Sequence, residues 1–119
     1  MTIERMTFRP PPGNQARELQ TFIPGLWPWF VWSANGALDS APPDELFSWY
    51  RTISHNREVK GARFSQHLLG LALDMSPDPK TEAAFRAAGW IAVPEGDHLH
   101  VQVYPAGTLP AWLFARISR

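Results

Sequence analysis

Histidine and carboxylate side chains are the residues of this chain whose types and spacing could do chemistry. The sequence contains four histidines, 11 acidic residues and no cysteine. His67 and Asp74 lie seven positions apart, with Gly70 and Ala72 between them. A tight turn at Gly70 followed by a strand would bring the two side chains together. Because zinc is commonly held by histidine and carboxylate where thiolates are absent, this pair is a candidate metal site.

A second pair of histidines lies nearer the C-terminus. His98 and His100 are two positions apart in a predicted strand, so their side chains share one face of that strand. A catalytic zinc site needs about three protein ligands and one open position for water. By spacing alone, either histidine could be the third ligand beside His67 and Asp74.

The segments that carry these residues have clear local signals. We predict a strand at 71–75, a helix from Pro79 to Ala88, and strands at 90–93 and 98–104 joined by the turn 94–97. Asp78 can cap the helix, Pro79 suits its first position, and Gly89 can end it. Two short strands joined by a four-residue turn that contains glycine are typical of a hairpin. Asp74 is therefore expected to project from a sheet.

The remaining segments complete a small α+β domain with an antiparallel sheet and flanking helices. We predict a short helix at 14–23, followed by a Trp-rich stretch to Ser33 that forms a strand or irregular wall and leads into a loop. Further along the chain we predict a strand at 46–53, a surface loop at 55–64 and a last helical turn or two at 110–117. The Pro-Pro-Asp-Glu before the strand at 46–53 could equally start a helical turn. A chain of 119 residues fits one domain over residues 1–119.

The charge and hydropathy patterns argue against several classes of function. Eleven basic and 11 acidic residues give zero net charge, so no overall field draws the protein to nucleic acid or to an anionic membrane. The N-terminus lacks the apolar segment of a secretory signal. The most apolar stretch, residues 22–32, is interrupted by Pro24, Gly25 and Pro28 and cannot span a bilayer as a helix. We expect a monomer that stays in the cytoplasm of the producing cell until it is released.

One longer pattern carries a family resemblance. The pattern S-x-H-x-x-G-x-A-x-D at residues 65–74, followed by D-x-x-H at 97–100, resembles the zinc D,D-carboxypeptidase and L-alanyl-D-glutamate endopeptidase family. That family shares its fold with the hedgehog signalling domain and includes many phage endolysins. The resemblance covers about residues 46–105. It implies a hedgehog/DD-peptidase-like fold, a Zn2+ cofactor and a peptidoglycan substrate.

The resemblance also implies roles for single residues. In the family the histidine and aspartate of the first motif bind zinc, which implies that His67 and Asp74 are ligands here. The third ligand is the histidine three residues after an acidic base. This spacing implies His100 as the ligand and Asp97 as the catalytic base, while Ser65, the first residue of the motif, is expected to contact the substrate.

A further segment and two departures from the family pattern complete this prediction. The Trp-Tyr-Arg-Thr segment resembles a Tyr-Arg-Ser/Thr segment of the family, which implies that Arg51 binds substrate or stabilises the oxyanion. Gln102 replaces a frequent aspartate, and its carboxamide is expected to orient His100. Asp97 replaces a frequent glutamate. Within a strand Asp97 would face away from His100, so its role as base requires that it lie in the turn. If Asp97 does not lie in the turn, Glu95 is the substitute base.

We therefore predict a zinc metallopeptidase that hydrolyses peptidoglycan stem peptides, with Asp97 accepting a proton from a metal-activated water. The scissile bond is D-alanyl-D-alanine, L-alanyl-D-glutamate or a cross-bridge. The alternatives are a non-catalytic zinc-stabilised binding module of the same fold, or a component of a phage particle that cleaves the wall during infection rather than release. His98 is a spare imidazole in the cleft, a substrate contact or a hydrogen-bonding partner of the base.

Overall fold

Helices and short strands are interspersed along the part of the chain for which the structure is described. A computed structural model describes residues 23–50, 53–61, 65–105 and 108. In chain order the elements are α1 (Leu26–Ser40), β1 (Leu46–Ser48), α2 (Ile53–Glu58), a 3₁₀ helix (Gln66–Leu69), β2 (Ala72–Met75), α3 (Pro79–Ala87), β3 (Ile91–Pro94) and β4 (Leu99–Gln102).

The four strands form one antiparallel sheet in the order β1-β2-β4-β3. β2 lies between β1 and β4, and every residue of β2 is buried. Its pairing with β4 runs from Ala72 opposite Gln102 to Met75 opposite Leu99. The α+β class with a small antiparallel sheet and flanking helices, predicted from the sequence, is confirmed.

The hairpin of β3 and β4 is also confirmed. The two strands pair antiparallel, and the backbone N–H of Glu95 donates to the carbonyl of His98 at 2.9 Å. Gly96 has a φ of 78°, a left-handed conformation that glycine adopts without steric cost. Asp97 therefore lies in the turn, before β4 begins.

The hydrophobic core lies between the helices and the sheet. α1 packs against α3, and α3 packs against β3 and β4. The Trp90 ring, just before β3, lies 5.0 Å from the ring of Phe30 in α1 and 5.0 Å from that of Phe85 in α3. Its Nε1 donates to Ser33 Oγ at 2.8 Å. The Trp90 ring thus packs against both helices beside the sheet, and its indole N–H is hydrogen-bonded.

Helix α3 begins where the sequence predicts. The side chain of Asp78 accepts hydrogen bonds from the backbone N–H groups of Lys80 and Thr81, at 2.8 and 3.3 Å. Pro79 occupies the first turn, where its missing N–H costs no hydrogen bond. The helix ends before Gly89, which has a φ of 93°. The predicted helix is confirmed.

Helix α1 shows that the prediction for the Trp-rich stretch was wrong, because this stretch is neither a strand nor an irregular wall. Its buried apolar side chains follow the spacing of a helix and are Leu26, Trp27, Phe30, Val31, Ala34, Ala37 and Leu38. Pro28 is tolerated because it lies in the first turn. Aromatic content favoured a strand, but burial of one helical face in the core outweighs that preference. Among the described residues, no helix is long and apolar enough to cross a membrane.

The segment between β1 and the 3₁₀ helix also differs from the prediction. Among the described residues of the strand predicted at 46–53, only Leu46–Ser48 form a strand, and Ile53 already belongs to α2. α2 also occupies part of the loop predicted at 55–64. α2 packs against the 3₁₀ helix, a tertiary contact that the polar local sequence does not reveal. Apart from Ile23, the helix predicted at 14–23 lies outside the described residues, as do the final turns predicted at 110–117.

Gly61, after α2, lies against a buried side chain. A Cβ at this position would collide with the carboxamide of Asn56, which is buried. We expect Gly61→Ala to lower the free energy of unfolding by about 1–3 kcal/mol, the usual cost of overpacking. Gly36→Ala is the matched control, since a Cβ there meets nothing within 4 Å, and alanine should stabilise the helix by about 0.5–1 kcal/mol. Urea unfolding of both variants checks this, and equal stabilities would contradict it.

Candidate metal centre

Asp74 and His100 face each other across neighbouring strands. They are paired positions in the ladder between β2 and β4, so both side chains project from the same face of the sheet. His100 Nδ1 lies 2.9 Å from Asp74 Oδ1. The adjacent residues Leu73 and Val101 are completely buried in the core. Because side chains alternate along a strand, Asp74 and His100 lie on the opposite face of the sheet.

His67 reaches this pair from the 3₁₀ helix. Ser65 Oγ accepts from the backbone N–H of His67 at 3.2 Å and caps the start of the helix. Gly70 ends it with a φ of 71°, and the chain then enters β2. As a result His67 Nε2 lies 3.2 Å from Asp74 Oδ2. The tight turn predicted at Gly70 is confirmed.

In both His67 and His100, the ring nitrogen that faces away from Asp74 is hydrogen-bonded. This bond directs the other ring nitrogen towards Asp74. His67 Nδ1 donates to the carbonyl oxygen of Trp49 at 2.6 Å. His100 Nε2 donates to Gln102 Oε1 at 2.8 Å. Outer hydrogen bonds of this kind fix the ring orientation and tautomer of metal-binding histidines. The atoms that remain for a metal are His67 Nε2 and His100 Nδ1.

The inward atoms form a group that fits a metal ion. One ligand atom from each of His67, Asp74 and His100 lies within 4.8 Å of the others, and tetrahedral zinc with bonds of about 2.0–2.2 Å separates its ligand atoms by about 3.3–3.6 Å. His67 Nε2 is buried and makes no hydrogen bond, although Asp74 Oδ2 lies only 3.2 Å away. Such a buried atom is unusual in a folded protein, and a bound cation would satisfy it. The donor set therefore suits zinc.

Opposing effects set the ionisation of Asp74 and His100. Burial acts to raise the pKa of Asp74, but its hydrogen bond with His100 and the nearby His67 ring lower it more, so the pKa of Asp74 lies well below its usual range. Asp74 is therefore ionised at neutral pH, the form that binds metals. Burial acts to lower the pKa of His100, but the contacts with Asp74 and Gln102 outweigh it, and the pKa of His100 is raised.

A hydrogen-bond network holds the outer side of His100. The amide nitrogen of Gln102 donates to the carbonyl of Tyr104 at 2.7 Å, which directs Oε1 of the same carboxamide towards His100. Gln66 binds the backbone of Tyr104 twice, since its Nε2 donates to the carbonyl at 2.6 Å and its Oε1 accepts from the N–H at 3.1 Å. The sequence indicated Gln102 but missed Gln66 and Tyr104, because a contact across 38 positions leaves no local signal.

A cleft of about 360 Å³ lies beside the donor group. Its lining residues are Phe47, Ser48, His55, Val59, Asp74, Asp97 and His98. Asp97 thus lies in the turn and lines the same cleft as Asp74, as the base assignment requires. His55 pairs with Glu58 at 3.6 Å and reaches the cleft from α2. The position of His55 at the cleft was not predicted, because residues 55–64 were expected to form a polar surface loop.

His98 lies in the cleft wall and outside the donor group. Within the described residues, that group contains His67, Asp74 and His100. His98 Nδ1 donates to Asp97 Oδ1 at 2.8 Å, and His98 Nε2 donates to Glu95 Oε2 at 2.9 Å. The bond between His98 and Asp97 raises the pKa of the histidine and lowers the pKa of the aspartate. The structure therefore brings His98 to both candidate bases.

Two predicted substrate-binding residues remain to be placed. Ser65 lies next to the donor group in sequence, and its Oγ is engaged in capping the 3₁₀ helix. Arg51, predicted to bind substrate or stabilise the oxyanion, lies outside the described residues. The substrate contacts of both residues stay predictions.

Asp74 and His100 of the antiparallel sheet, with His67 of the 3₁₀ helix, form a donor group beside a cleft and define the chain as a candidate metal-dependent hydrolase. A family model described as Peptidase M15 matches residues 31–101, more than half of the chain. The chain therefore belongs to the peptidase M15 family, and this membership indicates a zinc-dependent peptidase. The family predicted from the sequence is confirmed. No curated protein and no solved structure was found to match the chain.

Proposed function

We propose that this protein is a single-domain zinc peptidase that hydrolyses peptide bonds in the stem peptides of bacterial peptidoglycan. The observation that carries the proposal is the convergence of His67, Asp74 and His100 on one point beside a cleft. Membership of the peptidase M15 family supports peptide-bond hydrolysis. The S-x-H-x-x-G-x-A-x-D pattern supports the peptidoglycan substrate. The protein would reach that substrate after release from the producing cell.

The three donors favour a catalytic metal over a structural one. Structural zinc sites are usually closed by four protein ligands, whereas catalytic sites use three and keep one position open. Within the described residues the group consists of His67, Asp74 and His100. When held by such a set, zinc lowers the pKa of water towards neutrality and polarises a carbonyl group. This donor set favours the proposed enzyme over a zinc-stabilised binding module.

Asp97 is the proposed catalytic base. It lines the cleft together with Asp74, and its Oδ1 accepts from His98. Its other carboxylate oxygen is the proposed acceptor for the proton of the attacking water. Glu95 is the weaker candidate, because the residues that line the cleft include Asp97 but not Glu95. Arg51 is proposed to stabilise the oxyanion or a substrate carboxylate, and Ser65 to contact the substrate.

The cleft suits a short peptide segment. Its volume of about 360 Å³ lies near the lower end of ligand-binding pockets, which hold about 300–1,000 Å³. Phe47 and Val59 line it, and their side chains are 49% and 47% exposed. Apolar side chains at this level of exposure can pack against the methyl groups of alanine residues, which flank the scissile bonds of peptidoglycan stem peptides.

Gln102→Leu is expected to weaken zinc binding while leaving all three proposed ligands in place. The variant removes the acceptor of the His100 Nε2 hydrogen bond, and loss of such an outer contact typically costs about 10–100-fold in metal affinity. A competition titration with a chelator of known affinity measures the change. Trp32→Leu, at an exposed position of α1, is the control. An unchanged zinc affinity in Gln102→Leu would contradict the orienting role.

Digestion of purified peptidoglycan tests the proposed substrate. The zinc-loaded protein is incubated with intact peptidoglycan and with defined stem peptides, and the products are identified by mass spectrometry. New termini at D-alanyl-D-alanine, L-alanyl-D-glutamate or a cross-bridge would assign the scissile bond. Binding to peptidoglycan without any new terminus would favour the zinc-stabilised binding module instead.

A further inference from the structure

The proposed base lies on the surface, where little packing restrains its side chain. Asp97 lies in the turn before β4, and its side chain is 95% exposed. An exposed aspartate samples several rotamers, whereas a general base must be held within hydrogen-bonding reach of the proton that it accepts. Efficient catalysis therefore needs an interaction that fixes the Asp97 carboxylate at the cleft.

His98 connects Asp97 to a second carboxylate in the same turn. Its Nδ1 donates to Asp97 Oδ1 at 2.8 Å, and its Nε2 donates to Glu95 Oε2 at 2.9 Å. The His98 side chain is only 28% exposed, compared with 48% for Glu95 and 95% for Asp97. The backbone hydrogen bond from the Glu95 N–H to the His98 carbonyl closes the turn that carries these three side chains. The imidazole is thus held on one side by Glu95 and holds Asp97 on the other.

We propose that His98 is a positioning residue that fixes the Asp97 carboxylate at the cleft and is itself anchored by Glu95. This role rests on the proposed peptidase function. It differs from metal binding, because both His98 ring nitrogens are directed to carboxylates and the donor group consists of His67, Asp74 and His100. It also gives Glu95 a part in the site that does not compete with Asp97 for the role of base.

Two isosteric substitutions separate the two hydrogen bonds of His98. In His98→Asn the amide nitrogen stands close to the position of Nδ1, so the bond to Asp97 is retained. In His98→Gln the amide nitrogen stands close to the position of Nε2, so only the bond to Glu95 is retained. We expect kcat of His98→Asn to stay within about threefold of the unsubstituted value and kcat of His98→Gln to fall by about tenfold or more, since a small misplacement of a catalytic group costs up to about 100-fold in rate. KM should change by no more than about twofold in either variant. Zinc content and Tm should match the unsubstituted protein.

A double-mutant cycle then tests whether His98 acts through Asp97. In an Asp97→Asn background, His98→Gln should cause no further loss of kcat, because the group that it positions can no longer accept a proton. A further tenfold loss in that background would overturn the proposal and show that His98 acts directly on the substrate. Equal kcat values for His98→Asn and His98→Gln, or loss of zinc from either, would also overturn it. An unsubstituted protein that cleaves no peptide would instead overturn the proposed function, and this role with it.

Discussion

Asp74→Ala is expected to abolish zinc binding and peptide hydrolysis together. Asp74 is the central residue of the donor group, with one carboxylate oxygen 2.9 Å from His100 and the other 3.2 Å from His67. Its removal takes away the negative charge of the site as well as one ligand. Because loss of an outer-sphere contact alone costs about 10–100-fold in metal affinity, loss of this ligand should exceed that range. Hydrolysis should fall to the uncatalysed background.

Zinc content by elemental analysis and the rate of peptide release measure the two effects. Asp78→Ala is the matched control, because it also removes an aspartate but one that caps α3. That variant should lose about 1 kcal/mol of stability through the missing cap and keep its zinc and activity. If Asp74→Ala retained stoichiometric zinc, the proposed ligand set would be wrong.

Asp97→Asn is expected to separate metal binding from catalysis. Asparagine has nearly the same shape and can still accept the hydrogen bond from His98 Nδ1, but its carboxamide cannot accept a proton from water. General bases contribute about 10²–10⁴-fold to hydrolysis rates, so kcat should fall by that factor while zinc content stays the same. The exposed position of Asp97 in the turn predicts little change in stability.

Glu95→Gln is the control that decides between the two carboxylates of the turn. It should lower kcat only moderately, because Glu95 acts on Asp97 through His98. Hydrolysis by Asp97→Asn at the unsubstituted rate, together with a large loss in Glu95→Gln, would move the role of base to Glu95.

The parts of the fold that the sequence predicted carry strong local signals. The cap at Asp78, the left-handed glycines at Gly70 and Gly96 and the alternating pattern of β2 each depend on residues within one turn or strand. α1 was missed although its buried apolar residues have helical spacing, because its aromatic residues favour strands in isolation. Packing of this face against α3 decides in favour of the helix. Local propensity therefore predicted the elements around the site better than the helix behind it.

The same distinction applies to the candidate site. The resemblance to a known family indicated that His67, Asp74 and His100 act together, and the structure brings all three within 4.8 Å. Gln102, two positions from His100, was predicted to orient that ring. The group that orients His67 could not be predicted, because the Trp49 carbonyl lies 18 positions from His67 and contacts it only in the folded chain. The position of His55 at the cleft likewise depends on how α2 packs. Long-range contacts of this kind have no signature in a single sequence.

Zinc-dependent release of peptides from purified peptidoglycan tests the central claim most directly. The protein is assayed as prepared, after removal of metal with a chelator, and after zinc is restored, and the released fragments are identified by mass spectrometry. We predict fragments with a single type of new terminus that disappear with the chelator and return with zinc. Absence of any fragment, or release that the chelator does not change, would contradict the proposal that this protein is a zinc peptidase of the bacterial cell wall.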